Sequence, residues 1–244
     1  MRWNFYKLQE IIPFSVIKSF LIIFGLYILS GLYLSGQENQ LITVKAGTKV
    51  ADYFPVEIRY RYPDFKPGKL VYINGKFSSA NFNYNLLLGE IEYIQSSDTM
   101  RLMNKDVSLI EIGQDTFFYD NGYIELIYGG RIKVGLHQYI KLKDILRKGA
   151  MGSTNRSVAI DTYNSVPLDN NLYGIIPNED WVFRKTEEYF FSVQSGEFLP
   201  FNRRNVLKIF PEQKKIIEEY LKSEKISFDS RDDLLQLAAF LGRR

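Results

Sequence analysis

Residues 116–136 read Thr-Phe-Phe-Tyr-Asp-Asn-Gly-Tyr-Ile-Glu-Leu-Ile-Tyr-Gly-Gly-Arg-Ile-Lys-Val-Gly-Leu. Aromatic and β-branched residues favour strands, and the pair Asn121-Gly122 tolerates the positive φ angles of a tight hairpin turn. Gly129-Gly130 indicates a second turn. The stretch therefore predicts at least three consecutive antiparallel strands, which cover Thr116–Tyr119, Tyr123–Tyr128 and Arg131–Leu136.

More strands are predicted on the N-terminal side of this meander. Val56–Tyr62 alternates apolar and charged residues, which indicates a half-buried strand. Leu70–Ile73 runs into Asn74-Gly75, a pair that favours a type I′ turn, and Lys76–Tyr84 would be the return strand. Two further strand segments, each followed by polar turn residues, are Leu86–Ile94 and Val107–Ile112.

The chain changes character after the meander. Tyr139–Arg147 is compatible with a short helix, and Lys148–Asn155 is rich in small residues and indicates a loop or linker. Val158–Val182 contains two prolines and reads as irregular. Glu188–Val193 predicts one more strand.

The C-terminal tail has a helical pattern. Pro211 suits the first position of a helix, and Ser230 has capping-box character ahead of a second helix. The apolar stripe of the first helix is Ile216, Ile217, Tyr220 and Leu221, and that of the second is Leu234, Leu237, Ala238 and Leu241.

Strand segments that recur every 8 to 12 residues or so, with turn residues between them, predict a mainly β (α+β) fold. The expected architecture is an antiparallel β meander, sandwich or barrel-like body followed by a small C-terminal helical hairpin. Four segments follow: 1–36, a signal peptide or N-terminal membrane anchor; 37–148, the β-rich domain; 149–200, an irregular segment with one or two strands that complete the body; 201–244, the helical subdomain.

The N-terminal segment indicates export. Arg2, Lys7 and Lys18 precede an uncharged run from Ser19 to Gly36. That run is intermediate between a signal-peptide core and the roughly 20 apolar residues that span a bilayer. Cleavage before Gln37 would release a periplasmic or outer-envelope protein, whereas an uncleaved segment would anchor it to the membrane through residues 19–36.

Several chemistries are excluded by composition. The chain has no cysteine and a single histidine, His137, so a thiol nucleophile and a multi-histidine zinc site are both excluded. Arg2, Lys7 and Lys18 against Glu10 account for two of the three net positive charges, so the net charge of the body gives no support for a nucleic-acid partner. No phosphate-binding motif occurs, and no cofactor or metal is predicted.

Paired carboxylates are the chemistry that remains for catalysis. Glycoside hydrolysis needs only two Asp or Glu side chains across a cleft, which keeps a carboxylate-dependent glycan hydrolase open as an alternative. Each pair also has an ordinary role on a strand face, in a turn or at a helix start. The pairs are Glu90 with Glu92, Asp115 with Asp120, and the cluster Asp229, Asp232 and Asp233.

Aromatic side chains are the second candidate feature. The chain carries 18 Phe and 17 Tyr, and tyrosine can stack on a sugar or a partner chain while its hydroxyl stays hydrated. Strand propensity accounts for much of this content. The residues predicted to form a binding surface are Tyr119, Tyr123, Tyr128, Tyr189, Phe190 and Phe191.

The order of segments resembles a family of exported β-rich proteins of Bacteroidota of unknown function. The similar stretches are Tyr60–Tyr72, Asn83–Ile94, Asp115–Tyr119, Asn202–Pro211 and Asp232–Leu235. The resemblance implies a periplasmic or envelope setting and no particular activity. The expected function is therefore a non-enzymatic binding or structural module for an envelope protein or a glycan, with the hydrolase and a membrane-anchored subunit of an envelope assembly as alternatives.

Overall fold

The computed structural model describes residues 41–103, 106–148, 154–156, 174–194 and 196–243. Twelve strands in these ranges form one antiparallel sheet. They are β1 (Leu41–Val44), β2 (Lys66–Tyr72), β3 (Phe77–Asn85), β4 (Glu90–Gln95), β5 (Asp98–Arg101), β6 (Val107–Ile112), β7 (Asp115–Tyr119), β8 (Tyr123–Tyr128), β9 (Ile132–Lys148), β10 (Thr154–Arg156), β11 (Asp180–Val193) and β12 (Leu199–Pro200).

The sheet order is β1-β11-β9-β8-β7-β6-β2-β3-β4-β5, with β10 paired to β9 and β12 paired to β11. The predicted meander is confirmed as β7, β8 and β9, and the mainly β prediction is confirmed with it. The path through the described strands ends at β1 and β5, so the sheet is not closed. It is nevertheless curled, because the Tyr84 hydroxyl donates to the Gln138 carbonyl at 2.7 Å and the Ile140 amide donates to the Leu86 carbonyl at 2.8 Å.

Five α-helices lie in the described ranges, and three of them follow the last strand. They are α1 (Val50–Tyr53), α2 (Val56–Arg59), α3 (Arg203–Ile209), α4 (Lys214–Ser223) and α5 (Arg231–Gly242), with a 3-10 turn at Pro211–Gln213. Asn202 caps α3 and Ser230 caps α5, each accepting a backbone hydrogen bond from the third residue beyond it. The predicted helical tail is thus confirmed, and its predicted apolar stripe on α5 is fully buried.

The predicted strand at Val56–Tyr62 is wrong. The segment forms the short helix α2, and Tyr60 then makes a single isolated bridge to Asn85. Its alternation does not reflect the two faces of a strand, because Val56 is exposed while Arg61 turns inward to a buried carboxylate. The prediction failed because it assumed that charged side chains face water, whereas the half-buried Arg61 points inward.

The predicted helix at Tyr139–Arg147 is also wrong, because these residues continue β9. They pair with β11. Because β11 begins at Asp180, the last residues of Val158–Val182, which was predicted to be irregular, also lie in a strand. The partner strand is about forty residues away in the sequence, and a local pattern cannot report it.

The hairpin between β2 and β3 is confirmed, but its predicted type I′ turn is wrong. Gly75 has a φ of +79°, whereas Asn74 is not among the residues with positive φ. The Tyr72 carbonyl accepts from the Gly75 amide, and the Tyr72 amide donates to the Lys76 carbonyl, both at 2.9 Å. A three-residue loop that ends in a left-handed glycine satisfies these bonds.

Some predictions fall on residues that the structure does not describe. The signal peptide or anchor at 1–36 lies outside the described ranges, as do residues 149–153 of the predicted loop. The described residues all belong to one compact unit, Asn39–Arg244. Within the described ranges, no helix combines the length and the apolar character needed to cross a bilayer.

The β9–β11 strand pair borders two hydrophobic cores. One end of it, with Ile132, Val134 and Phe191, packs on the C-terminal helices; we call this the helix core. The other end, with Ile140 and Phe183, packs on the curled sheet; we call this the sheet core. The register sets Val134 opposite Phe191, so the strands contribute to each core as cross-strand pairs.

Gly135 of β9 leaves no room for a side chain. A Cβ atom there would collide with the Ile124 side chain and lie 2.9 Å from Cε1 of Phe198. Ile124 is buried and cannot move aside. We expect Gly135→Ala to lower the free energy of unfolding by about 1–3 kcal/mol, as overpacked cores do.

Urea denaturation measures this loss. The matched control is Gly129→Ala, where the nearest atom would be 3.9 Å from the new Cβ. A Gly135→Ala protein as stable as the control would contradict the packing described here.

Candidate functional site

A layer of buried polar groups lies inside the curled sheet. Arg61 donates two hydrogen bonds to Glu125, from Nε to Oε2 and from Nη2 to Oε1, both at 3.0 Å. The Glu125 side chain is only 8% exposed. The hydrogen bond to Glu125 raises the pKa of Arg61, so the guanidinium stays charged.

The neighbouring groups are satisfied in the same way. The Tyr62 hydroxyl donates to Asp115 at 2.6 Å, and burial together with this bond raises the pKa of Tyr62. The Tyr60 hydroxyl donates to Glu92 at 2.6 Å, and Asn85 donates to the same oxygen at 3.1 Å. These bonds tie the segment after α2 to the sheet, which is a structural role.

The carboxylates predicted as catalytic pairs are therefore engaged mainly in structural contacts. Glu92 and Asp115 belong to the buried layer, and Asp120 accepts from the Phe198 amide at 3.3 Å. Asp233 accepts from the Ser227 amide at 2.9 Å at the start of α5. Asp229 differs, because its side chain borders a cleft.

That cleft is a concave site lined by described residues. It has a volume of about 550 Å³ and lies where β11 meets β12 and the C-terminal helices. Three of its residues are acidic, four are aromatic, and the others are small or polar. Its lining consists of Glu187, Glu188, Tyr189, Phe190, Pro200, Phe201, Asn202, Phe228 and Asp229.

Each wall of the cleft has a simple local cause. Phe190 and Phe191 pair with Pro200 and Leu199, so β12 brings the following residues beside β11. The ring of Phe201 packs on that of Phe191, with 4.9 Å between the ring centroids. The ring of Phe228 packs on that of Phe201 with 6.3 Å between centroids, and all three belong to the helix core. The aromatic wall is therefore held by the core behind it.

Glu187 is held firmly on one side of the strand. Its Oε1 accepts from Gln138 at 2.6 Å, and its Oε2 accepts from the Tyr189 hydroxyl at 3.1 Å. Burial, and then the charge of Glu187, raise the pKa of Tyr189 to about 12. The Tyr189 hydroxyl therefore remains a neutral hydrogen-bond donor at any physiological pH.

Glu188 points to the opposite face, beside His137 and Tyr139. The Tyr139 hydroxyl donates to Oε1 of Glu188 at 2.7 Å, and Nδ1 of His137 lies 4.0 Å from Oε2. Burial lowers the pKa of His137, although Glu188 acts in the other direction. Glu188 itself keeps a side chain that is 47% exposed, so its charge is available to a ligand.

Two described strands pair with the outer edge of β11 beside the cleft. β1 pairs with it at Trp181–Arg184, and β12 pairs with it at Phe190 and Phe191. The Tyr189 carbonyl accepts from the Phe201 amide at 2.8 Å, so the chain that follows β12 stays beside β11 at the cleft.

The structure separates the aromatic residues predicted as a binding surface. Tyr123 and Phe191 are 2% and 1% exposed, so their rings lie in the two cores. Tyr119 packs on Tyr123 at 5.2 Å, and Tyr128 packs against the helix core. Tyr189 and Phe190 do line the cleft.

Most of the other cleft residues were missed by sequence reasoning. Phe201, Asn202 and Phe228 lie between or beside helices and carry no catalytic or binding motif, whereas Asp229 was predicted as a member of an acidic cluster. The one local signal is the adjacent pair Glu187-Glu188, which precedes the aromatic run on β11. Two successive acids on a strand necessarily face both sides of a sheet, which suits an edge site more than a face site.

Comparison of the chain with protein-family models, with curated proteins and with solved structures finds no match. The site is therefore interpreted from its own geometry. Within the described ranges, no group of three or more Asp, Glu or His side chains is arranged to hold a metal ion.

Breaking the buried ion pair tests the structural role of the polar layer. We expect Glu125→Gln to lower the free energy of unfolding by about 1–3 kcal/mol, because it leaves the half-buried Arg61 without a charged partner. The control is Glu218→Gln, which breaks the surface pair between Arg203 and Glu218. That loss should be about 1 kcal/mol or less, and equal losses in urea titrations would contradict the assigned role.

A pH dependence follows from His137. Because burial lowers its pKa in the folded state, the unfolded chain binds the proton more tightly. Stability is thus unaffected above the ordinary pKa of 6.5 and falls as the pH drops below it. We expect the loss of stability between pH 7.5 and pH 5.5 to be smaller for His137→Gln than for the parent, as measured by urea denaturation. Identical losses would show that His137 does not titrate differently on folding.

Proposed function

We propose that the protein is an exported cell-envelope protein that binds a partner protein, without chemical conversion, at the cleft between β11 and the C-terminal helices. The observation that supports this most directly is the cleft itself, in which four aromatic and three acidic residues line one concave site. A concave site with aromatic walls and a few polar groups is the usual form of a binding site. The export part of the proposal is based on residues 1–36 of the sequence.

The polar groups of the cleft favour binding over catalysis. Both oxygens of Glu187 already accept hydrogen bonds from neighbouring side chains, and Glu188 accepts one from Tyr139. A general acid and a nucleophile or base must instead be placed on either side of a scissile bond. Glu187 and Glu188 are adjacent in a strand and point to opposite faces, which is unsuitable for such a pair.

A second candidate is a carboxylate-dependent glycan hydrolase. It is favoured by one specific observation, the presence of three acids and four aromatic rings in one cleft. Aromatic faces stack on sugar rings, and carboxylates accept hydrogen bonds from sugar hydroxyls. Incubation of the purified protein with envelope glycans, followed by analysis of the products, tests this candidate directly.

A third possibility, a membrane-anchored subunit of an envelope assembly, differs from the first only in the fate of residues 1–36. Determination of the N-terminus of the protein isolated from its own envelope distinguishes them. An N-terminus at Gln37 would support a released protein, and an intact N-terminal segment would support an anchored one.

The binding proposal is tested by reversing charge in the cleft. We expect mild cross-linking in the native envelope, followed by affinity purification and mass spectrometry, to recover one partner in stoichiometric amount. Asp229→Lys should reduce that recovery strongly, because Asp229 is exposed at the rim of the cleft.

The matched control is Asp98→Lys, an equal change of charge at β5, at the other end of the sheet. Its recovery should equal that of the parent. Equal recovery with both variants would place the partner elsewhere on the molecule. Recovery of the protein alone, with release of sugar products in the glycan assay, would favour the hydrolase.

A further inference from the structure

We infer that the cleft between β11 and the C-terminal helices holds the guanidinium group of an arginine side chain that the partner protein presents. This inference rests on the proposed function above and specifies which chemical group of the partner the cleft recognises. A guanidinium group has a delocalised positive charge, a flat face that stacks on aromatic rings, and five N–H donors. The cleft offers a counterpart to each of these properties.

The charge of the cleft is negative. Its described lining includes no lysine, arginine or histidine, and it contains three exposed acids, Glu187, Glu188 and Asp229. The charges of Arg231 and Asp232 act on the Tyr189 hydroxyl in opposite directions, so they offset each other there. His137 lies beside Glu188, and burial lowers its pKa, so it is uncharged at neutral pH. Electrostatic complementarity therefore favours a cation in the cleft.

Aromatic rings surround these charges. Tyr189, Phe190 and Phe228 line the cleft and are only half-buried, so part of each ring is accessible from it. A cation over the face of such a ring is attracted by the ring quadrupole. Arginine makes this contact more often than lysine, and its guanidinium is less strongly hydrated than an ammonium group. The rings therefore favour a guanidinium over an ammonium ligand.

A buried amide behind the carboxylates provides an acceptor that is not yet used. Gln138 is only 8% exposed, and its Nε2 donates to Oε1 of Glu187 at 2.6 Å. Oε1 of the same amide is buried and accepts no hydrogen bond from the described residues. Unpaired buried oxygens are uncommon in native proteins, because each one costs free energy. A guanidinium beside Glu187 has additional N–H groups for this oxygen, which gives the unpaired amide a role.

Glu188 and Asp229 are the acids best placed to contact the guanidinium directly. Both oxygens of Glu187 already accept hydrogen bonds, from Gln138 and Tyr189. Oε2 of Glu188 instead lies 4.0 Å from the His137 ring, beyond hydrogen-bond distance. Asp229 is exposed and lines the cleft from the segment before α5, outside the β9–β11 strand pair. Its carboxylate can therefore be neutralised without disturbing the sheet.

The first test is titration of the protein purified from its own envelope with N-acetyl-arginine methylamide at pH 7.5. The matched control is N-acetyl-citrulline methylamide, in which a neutral urea group replaces the guanidinium. The chain has one histidine, so the Cε1 proton of His137, beside Glu188, is a single assigned reporter in proton NMR. We expect saturable binding of the arginine compound with a Kd of about a millimolar, and binding of the citrulline compound about tenfold weaker or less.

Two results of this titration would overturn the inference. One is the absence of saturable binding of the arginine compound. The other is equal binding of the citrulline compound, which would show that the positive charge is not recognised. N-acetyl-lysine methylamide should bind several-fold more weakly than the arginine compound, and an equal affinity would contradict the preference for guanidinium.

The second test places the bound arginine compound in the cleft. Asp229→Asn keeps the shape of the side chain and removes its charge, and it should weaken binding of the arginine compound about tenfold. Asp98→Asn, the same change on β5, should leave the affinity unchanged. Equal affinities of both variants would mean that the compound binds elsewhere, and the assignment to the cleft would be wrong.

The outcomes separate this inference from the proposed function. If charge reversal at Asp229 removed the partner recovered from the envelope but the arginine compound did not bind, the cleft would remain a binding site and only the recognised group would be wrong. If the arginine compound bound in the cleft and no envelope protein was recovered, the partner protein would be wrong and the guanidinium site would stand. If neither experiment depended on Asp229, both proposals would fail.

Discussion

The pairing of β9 with β11 is the interaction on which the rest of the structure depends. The register of this pair is unbroken from Phe183 to Val193. One end of the strand pair packs on the helices, and the other end packs on the curled sheet. Each core takes cross-strand pairs from these strands. β1 and β12 pair with the other side of β11, and the cleft lies where β11 meets β12 and the C-terminal helices.

Carboxylates serve two different purposes in this molecule, and their surroundings determine which. Glu125 and Glu92 are buried, and they accept hydrogen bonds from Arg61, Tyr60 and Asn85. Their role is to attach the segment after α2 to the sheet. An unpaired charge at such depth would be strongly unfavourable. Glu188 and Asp229 lie at the surface of a cleft, where charge that is not fully neutralised remains available for recognition.

Much of the fold was predictable because its determinants are local. The positions of the hairpins, the Ser230 cap and the apolar stripe of α5 depend on residues only a few positions apart, and these predictions are confirmed. Val56–Tyr62 and Tyr139–Arg147 were predicted wrongly for one common reason. In the first, an inward arginine finds a distant carboxylate, and in the second a distant strand supplies the pairing partner, so contacts remote in sequence overrode the local pattern.

The candidate site was accessible to sequence reasoning only in part. Tyr189 and Phe190 were predicted to belong to a binding surface and Asp229 to an acidic cluster, but Phe201, Asn202 and Phe228 come from segments beside helices and reach the cleft through core packing. By itself, the sequence determined the mainly β class, the β7–β8–β9 meander and the helical tail, because turn preferences, side-chain alternation and helix caps act over a few residues. Only the tertiary structure decided which acids are buried and which residues line the cleft, since both depend on partners that meet by folding.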